Sequence, residues 1–154
     1  QFDAKAATAR LRALDPGRLV DEASGWYDQG GGDVDSRHNY FYPLRVRPGG
    51  RAVALSEYGG IAWPMPGHEP PGRTYGYGTA KNKADLTKRY KELQLKTVLP
   101  QLKNGLSALV YTQVSDVEDE VNGLFTYDRT ALKPDASAVR SCNAALAAEF
   151  ARIT

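Results

Sequence analysis

The chain has 154 residues, 42% of them hydrophobic and 25% charged, a composition that predicts one soluble globular domain and excludes a disordered segment. Twenty Lys and Arg against 18 Asp and Glu leave a formal charge of +2, too little for a nucleic-acid surface, and the basic residues are interspersed with acids. No run approaches the roughly 20 apolar residues of a membrane span.

The first residue is Gln, and it leads into an Ala-rich amphipathic segment rather than a signal peptide, which predicts a chain cut from a longer one. The single Cys142 excludes an internal disulfide and leaves the compartment open, cytoplasmic or secreted according to what precedes Gln1.

In chain order, residues 2–14 read as a helix stopped by Asp15-Pro16-Gly17. Residues 18–24 read as a short strand closed by Gly25-Trp26, and the glycines 30–32 as a loop. A second strand is expected over 34–41, ended by Pro43. A third is expected over 51–56, where Ala52-Val53-Ala54-Leu55 is continuously apolar, as in a strand buried on both faces. Residues 61–81 are rich in proline, glycine and aromatics, and a loop of that length in a compact domain usually carries function.

Asn82 is the expected cap of a helix whose apolar face is Leu86, Tyr90, Leu93, Val98 and Leu102, with Pro100 kinking or breaking the last turn and Gly105 closing it. A fourth strand is expected over 106–113, followed by the acidic loop 116–120. The last helix should start at Asp135 and bury Val139, Cys142, Leu146, Phe150 and Ile153.

Strands of buried type alternating partly with helices predict a parallel α/β sheet. Trp26, His38, Tyr40, Glu57, Tyr111 and Gln113 all fall at or just after the ends of these strands, where a (β/α)8 barrel places its active site. The expected fold is therefore the C-terminal half of such a barrel, about four parallel strands with their helices, in one unit over 1–154.

Several segments, taken together and in order, resemble the C-terminal part of the catalytic barrel of glycoside hydrolase family 2, the family of β-galactosidases, β-glucuronidases and β-mannosidases. They are Leu14-Asp15-Pro16-Gly17-Arg18, Ala23-Ser24-Gly25-Trp26, Gly32-Asp33-Val34, His38-Asn39-Tyr40, Ser56-Glu57-Tyr58-Gly59-Gly60, Tyr111-Thr112-Gln113, Asp116-Val117-Glu118 and Asn122-Gly123. No one segment is decisive; the ordered set covers nearly the whole chain.

The resemblance implies a retaining β-glycosidase in which Glu57, at the end of barrel strand seven, is the nucleophile. Such chemistry pairs it with a second carboxylic acid about 5–5.5 Å away. In the family that acid follows an Asn at the end of strand four. No Asn-Glu pair occurs in this sequence, so it is expected before Gln1, and the chain alone is expected to be close to inactive. Tyr40 matches a tyrosine that hydrogen-bonds the nucleophile. His38 lies two residues earlier on the same strand face. Tyr111 stands where the family commonly has Trp, as an aromatic floor for the sugar, and Trp26 and Gln113 complete the expected substrate contacts.

Each assignment has a bland rival. Glu57 competes with a solvated or salt-bridged carboxylate, His38 with a loop-locking hydrogen bond, and Trp26 and Tyr111 with packing. Asp116, Glu118 and Glu120 lack the spacing of a calcium loop and are expected as caps or solvated charge, and His68 as a surface residue. No metal or cofactor is expected. The competing function is a non-catalytic carbohydrate-binding or assembly module. A half barrel also leaves sheet edges open, so self-association through them is the expected protein contact.

Overall fold

A computed structural model describes residues 3–23, 25–41 and 43–154. The first helix, α1 (Ala4–Leu14), is capped by Asp3, whose carboxylate accepts from the Ala6 amide at 3.0 Å. The Phe2 start and the Ser24 end of the expected elements lie outside the described residues.

Three strands follow along the chain, β1 (Val34–Asn39), β2 (Ala52–Gly59) and β3 (Leu106–Thr112). They form one parallel sheet in the order β1-β2-β3. The mixed α/β architecture agrees with expectation, but among the described residues the sheet has three strands, not about four. The missing one is the segment from Arg18. It runs beside β1, yet Val20 is held by a side chain instead of a ladder: its N–H donates to Asp33 Oδ2 at 2.7 Å while its carbonyl accepts from the Asp33 amide at 2.8 Å. With that carboxylate satisfying the amide, no strand pairing is needed there.

Helix α2 (Lys83–Glu92) starts where Asn82 accepts from the Asp85 amide at 2.9 Å. It passes into a π-helical segment (Leu93–Val98) and then α3 (Leu99–Leu102). Pro100 lies in the first turn of α3 and has no N–H to donate, so the kink expected there is realised as a widened turn just before it. Helix α4 (Ala136–Ile153) is capped by Asp135, which accepts from the Ala138 amide at 2.9 Å. Cys142 and Leu146 are buried on its inner face, whereas Phe150 and Ile153 remain exposed at its end.

The core lies on one side of the sheet. Val53, Leu55 and Tyr58 of β2 and Leu106 of β3 pack there with Val98, Leu102 and Leu146 of the helices. The β1–β2 connection has no helix; its Leu44 and Val46 enter the same core, and the Val46 amide donates to Gln101 at 3.0 Å. On the opposite side Val110 is 57% exposed. A parallel sheet is ordinarily covered on both faces; here the second face is covered at Ser36 of β1 and open at Val110 of β3.

Candidate active site

Two irregularities in the ladder decide which side chains meet. Between β1 and β2 the register moves from Arg37↔Leu55 to His38↔Glu57, so Ser56 is an extra residue on β2. Bulges of this kind re-aim a side chain. Here Leu55 and Tyr58 both face the helices, while Ser56 meets Ser36 across the ladder (Oγ–Oγ 2.7 Å) and Glu57 meets His38 and Tyr40. The second irregularity, between Leu106 and Ala108 of β3, has the corresponding effect on that strand.

Glu57 is close to half exposed. Its Oε2 accepts from the Tyr40 hydroxyl at 2.9 Å and lies 3.2 Å from His38 Nδ1, within ion-pair range of a protonated imidazole. The Tyr40 oxygen is also 2.9 Å from Thr112 Oγ1. Tyrosine has one proton; given to the carboxylate, it leaves the phenol oxygen to accept from Thr112. Burial first, then the nearby Glu57 charge, push the Tyr40 phenol well above its ordinary pKa, so it stays a donor through the neutral range. Both contacts fall on Oε2, and Oε1 carries neither.

Aromatic rings fix this arrangement from two sides. Trp26 meets His38 edge-on at 5.5 Å between centroids and lies 6.3 Å from Tyr40. The close approach depends on Gly25, at φ +93°, where a Cβ would sit 2.3 Å from the His38 ring. Tyr77, from the long loop, stacks on Tyr40 at 3.7 Å. Gly60 permits this contact: at φ +59°, a Cβ there would lie 2.6 Å from Tyr77 and 2.9 Å from Tyr40.

The structure brings Glu57, His38, Tyr40 and Trp26 together. It does not bring Tyr111 to them. Beyond the irregularity in β3, Tyr111 turns to the helix side, edge-on to Tyr58 at 5.6 Å and to Tyr90 at 5.3 Å, with its hydroxyl buried. Tyr111, the expected aromatic floor, thus packs with Tyr58 and Tyr90, and Tyr77 is the ring that stacks on the Tyr40 partner of Glu57. Gln113 is turned to the following loop, where its Nε2 donates to Asn122 Oδ1 at 2.8 Å and to Glu120 Oε2 at 3.2 Å.

That loop also departs from expectation. Asp116 is not a solvated charge but is buried against Lys133, whose ammonium donates to Asp116 Oδ1 at 2.7 Å, the Val121 carbonyl at 2.9 Å and the Trp63 carbonyl at 3.1 Å. Burial pushes the carboxyl up and the ammonium down, and the pairing opposes both shifts. All three ammonium protons are used, so one side chain joins the long loop, the acidic loop and the approach to α4. Glu120 is likewise held by the amides of Gln113 and Asn122.

His68 is paired at the surface with Asp128, Nδ1 to Oδ2 at 2.8 Å. Among the described residues no three His, Cys, Asp or Glu gather as a metal site, and no helix is long and apolar enough to cross a membrane. Sequence reasoning missed Tyr77, Thr112, Asn122 and Lys133 as members of this region. The aromatic content of residues 61–81 was the available signal for the first of them. No family model matches the chain, and no match is found among curated proteins.

Proposed function

We propose that the chain is the second half of the catalytic barrel of a retaining β-glycosidase resembling glycoside hydrolase family 2, with Glu57 as its nucleophile. The observation that carries this reading is the seating of Glu57. A carboxylate stands near the C-terminal end of a parallel strand, on a bulge, half open to solvent, with one oxygen held by Tyr40 and facing His38. The fold supports it as well. Three parallel strands neighbour one another in chain order, as consecutive strands of a barrel do. The outer edge of β3 borders an apolar cleft of about 210 Å³ against α4, lined by Leu102, Leu109, Leu146 and Phe150.

In the proposed mechanism, Glu57 Oε1 attacks the anomeric carbon while Tyr40 retains Oε2. The glycosidic bond breaks and its electron pair leaves with the aglycone oxygen, which takes a proton from a second carboxylic acid supplied from outside this chain. Water then attacks the glycosyl ester, loses its proton to that second residue and frees Glu57. The exposed rings of Trp26 and Tyr75 offer stacking faces for a sugar, and they alone would also serve a non-catalytic binding module.

The two functions separate with a 2-deoxy-2-fluoro-β-glycoside bearing a dinitrophenolate leaving group, which departs without acid assistance. Peptide mass analysis should locate a covalent glycosyl adduct on Glu57, absent from Glu57→Gln. Sugar binding with no adduct would favour the binding module. An adduct on another residue, or aryl glycoside turnover surviving Glu57→Gln, would remove Glu57 from the mechanism.

A further inference from the structure

The outward face of α2, continued along the π-helical segment, carries a row of cations. Lys83, Lys88, Lys91 and Lys96 are all exposed and border one open groove of about 730 Å³. Ala84, Thr87 and Leu95 line the same groove between the lysines, and Leu95 is partly buried. Lysine stems extend such a floor with methylene surface while their ammoniums stay in water. Thr87 ties the groove to α4, because its hydroxyl oxygen accepts from the Asp135 amide at 3.0 Å.

Two carboxylates stand in the groove, and both have close partners. Glu92 accepts from Lys96 at 2.9 Å; Asp135 accepts from the Ala138 amide at 2.9 Å and from the Ser137 hydroxyl. Lys83 acts on Asp135, and Lys88 on Glu92, only at longer range, and Lys91 makes no ion pair among the described residues. The groove thus holds four of the chain's 20 Lys and Arg and two of its 18 Asp and Glu, leaving 16 of each elsewhere. The formal excess of the whole chain, +2, is the excess of this one groove.

Charge and shape together select the occupant. The row from Lys83 to Lys96 covers about 20 Å at a rise of about 1.5 Å per residue, the length of roughly three to four helical turns. A helix with an apolar strip flanked by carboxylates sets the strip on Ala84 and Leu95 and its charges against the ammoniums. A nucleic acid fits less well, since no aromatic ring lines the groove for a base to stack on, and Glu92 and Asp135 repel phosphates.

We propose that this groove is a docking surface for an acidic amphipathic helix of a partner protein. The surface shares no residue with the Glu57 cluster, and its role is independent of the chemistry proposed there.

The probe is a fluorescein-labelled peptide of about 15 residues of Glu, Ala and Leu, with its leucines on one helical face. It is titrated with the intact chain and followed by fluorescence anisotropy. Binding should saturate and should weaken several-fold as ionic strength rises from about 0.05 to about 0.3 M. Each exposed pairing is small, but replacing Lys88→Glu and Lys91→Glu together removes two and reverses them, and should weaken binding about tenfold. Leu95→Gln should weaken it roughly fivefold by removing part of the apolar seat. A peptide with Lys in place of Glu should bind the doubly replaced chain and not the wild type, a swap that misfolding would not produce. Glu57→Gln should bind the acidic peptide as the wild type does.

No saturable binding, or equal affinity for a scrambled peptide whose leucines are spread around the helix, would overturn the proposal. So would affinity untouched by the lysine replacements. Tighter binding of a single-stranded oligonucleotide of similar length, or of phosphatidylserine vesicles, than of the peptide would overturn it as well.

Discussion

Tyr40 and Glu57, 17 residues apart in sequence, meet across the β1–β2 ladder through an Oη–Oε2 hydrogen bond of 2.9 Å. The bond holds one carboxylate oxygen and, in the proposed mechanism, leaves Oε1 for attack. Tyr40→Phe removes the donor while keeping the stack on Tyr77. A hydrogen bond to a charged group contributes about 1.5–3 kcal/mol, so the rate of covalent labelling at Glu57 should fall roughly ten- to hundredfold. The far-ultraviolet spectrum should not change. A labelling rate equal to the wild type would mean that Tyr40 does not position the carboxylate.

His38, Tyr40 and Glu57 were legible in the sequence because alternation along a strand, a short apolar run and an ordered set of familiar segments agreed. The placement of Tyr111 on the helix side has a local reason that the sequence did not show. In Leu106–Thr112 both parities carry apolar residues, so pattern alone does not set which face is inward. The irregularity after Leu106 then puts Leu109 and Tyr111 with the helices. The Arg18 segment failed because the competing partner of Val20 was a side chain 13 residues away. Asp116 was misread as solvated because its partner Lys133 is 17 residues distant, in a stretch with no periodic pattern.

Tyr111 gives a direct contrast between packing and function. Its hydroxyl is buried and meets no protein partner among the described residues, and burial first, then the neighbouring tyrosines, push its phenol well above the ordinary value. Tyr111→Phe should therefore leave sugar binding unchanged and raise stability in denaturant by up to about 1–3 kcal/mol, the cost of a buried unsatisfied polar group. A phenol whose pKa is raised on folding contributes stability present below the unfolded value, near 10, and lost as pH rises through the folded one. The Tyr111→Phe variant has no ionisable group at this position, so its stability should fall less steeply above about pH 10 than that of the wild type. Weakened sugar binding with unchanged stability would restore Tyr111 to the site.

Among the described residues, the Lys133–Asp116 pair should be the most sensitive ion pair. Both side chains are buried, and every ammonium proton has an acceptor. Lys133→Met leaves a buried carboxylate without its cation, a change that costs about 3–5 kcal/mol. Adding Asp116→Asn removes the stranded charge and should recover a substantial part of it. Urea unfolding of the two single variants and the double variant measures the coupling. Additive losses would show that the two groups do not interact.

The open face of the sheet makes a last prediction. Among the described residues, Val110 is exposed on one face of the sheet and the edge of β3 borders an apolar cleft, surfaces that further strands and helices would cover in the proposed barrel. The chain should cover this surface by associating with a second copy at high concentration. Val110→Lys places a charge on that face, and at a position already 57% exposed it should shift folding stability by no more than about 0.5 kcal/mol. Sedimentation velocity over a concentration series should show the wild type moving from monomer toward dimer and the variant remaining monomeric. A wild type that stays monomeric throughout would mean that the half-covered sheet is tolerated in water, and association through the open face would be wrong.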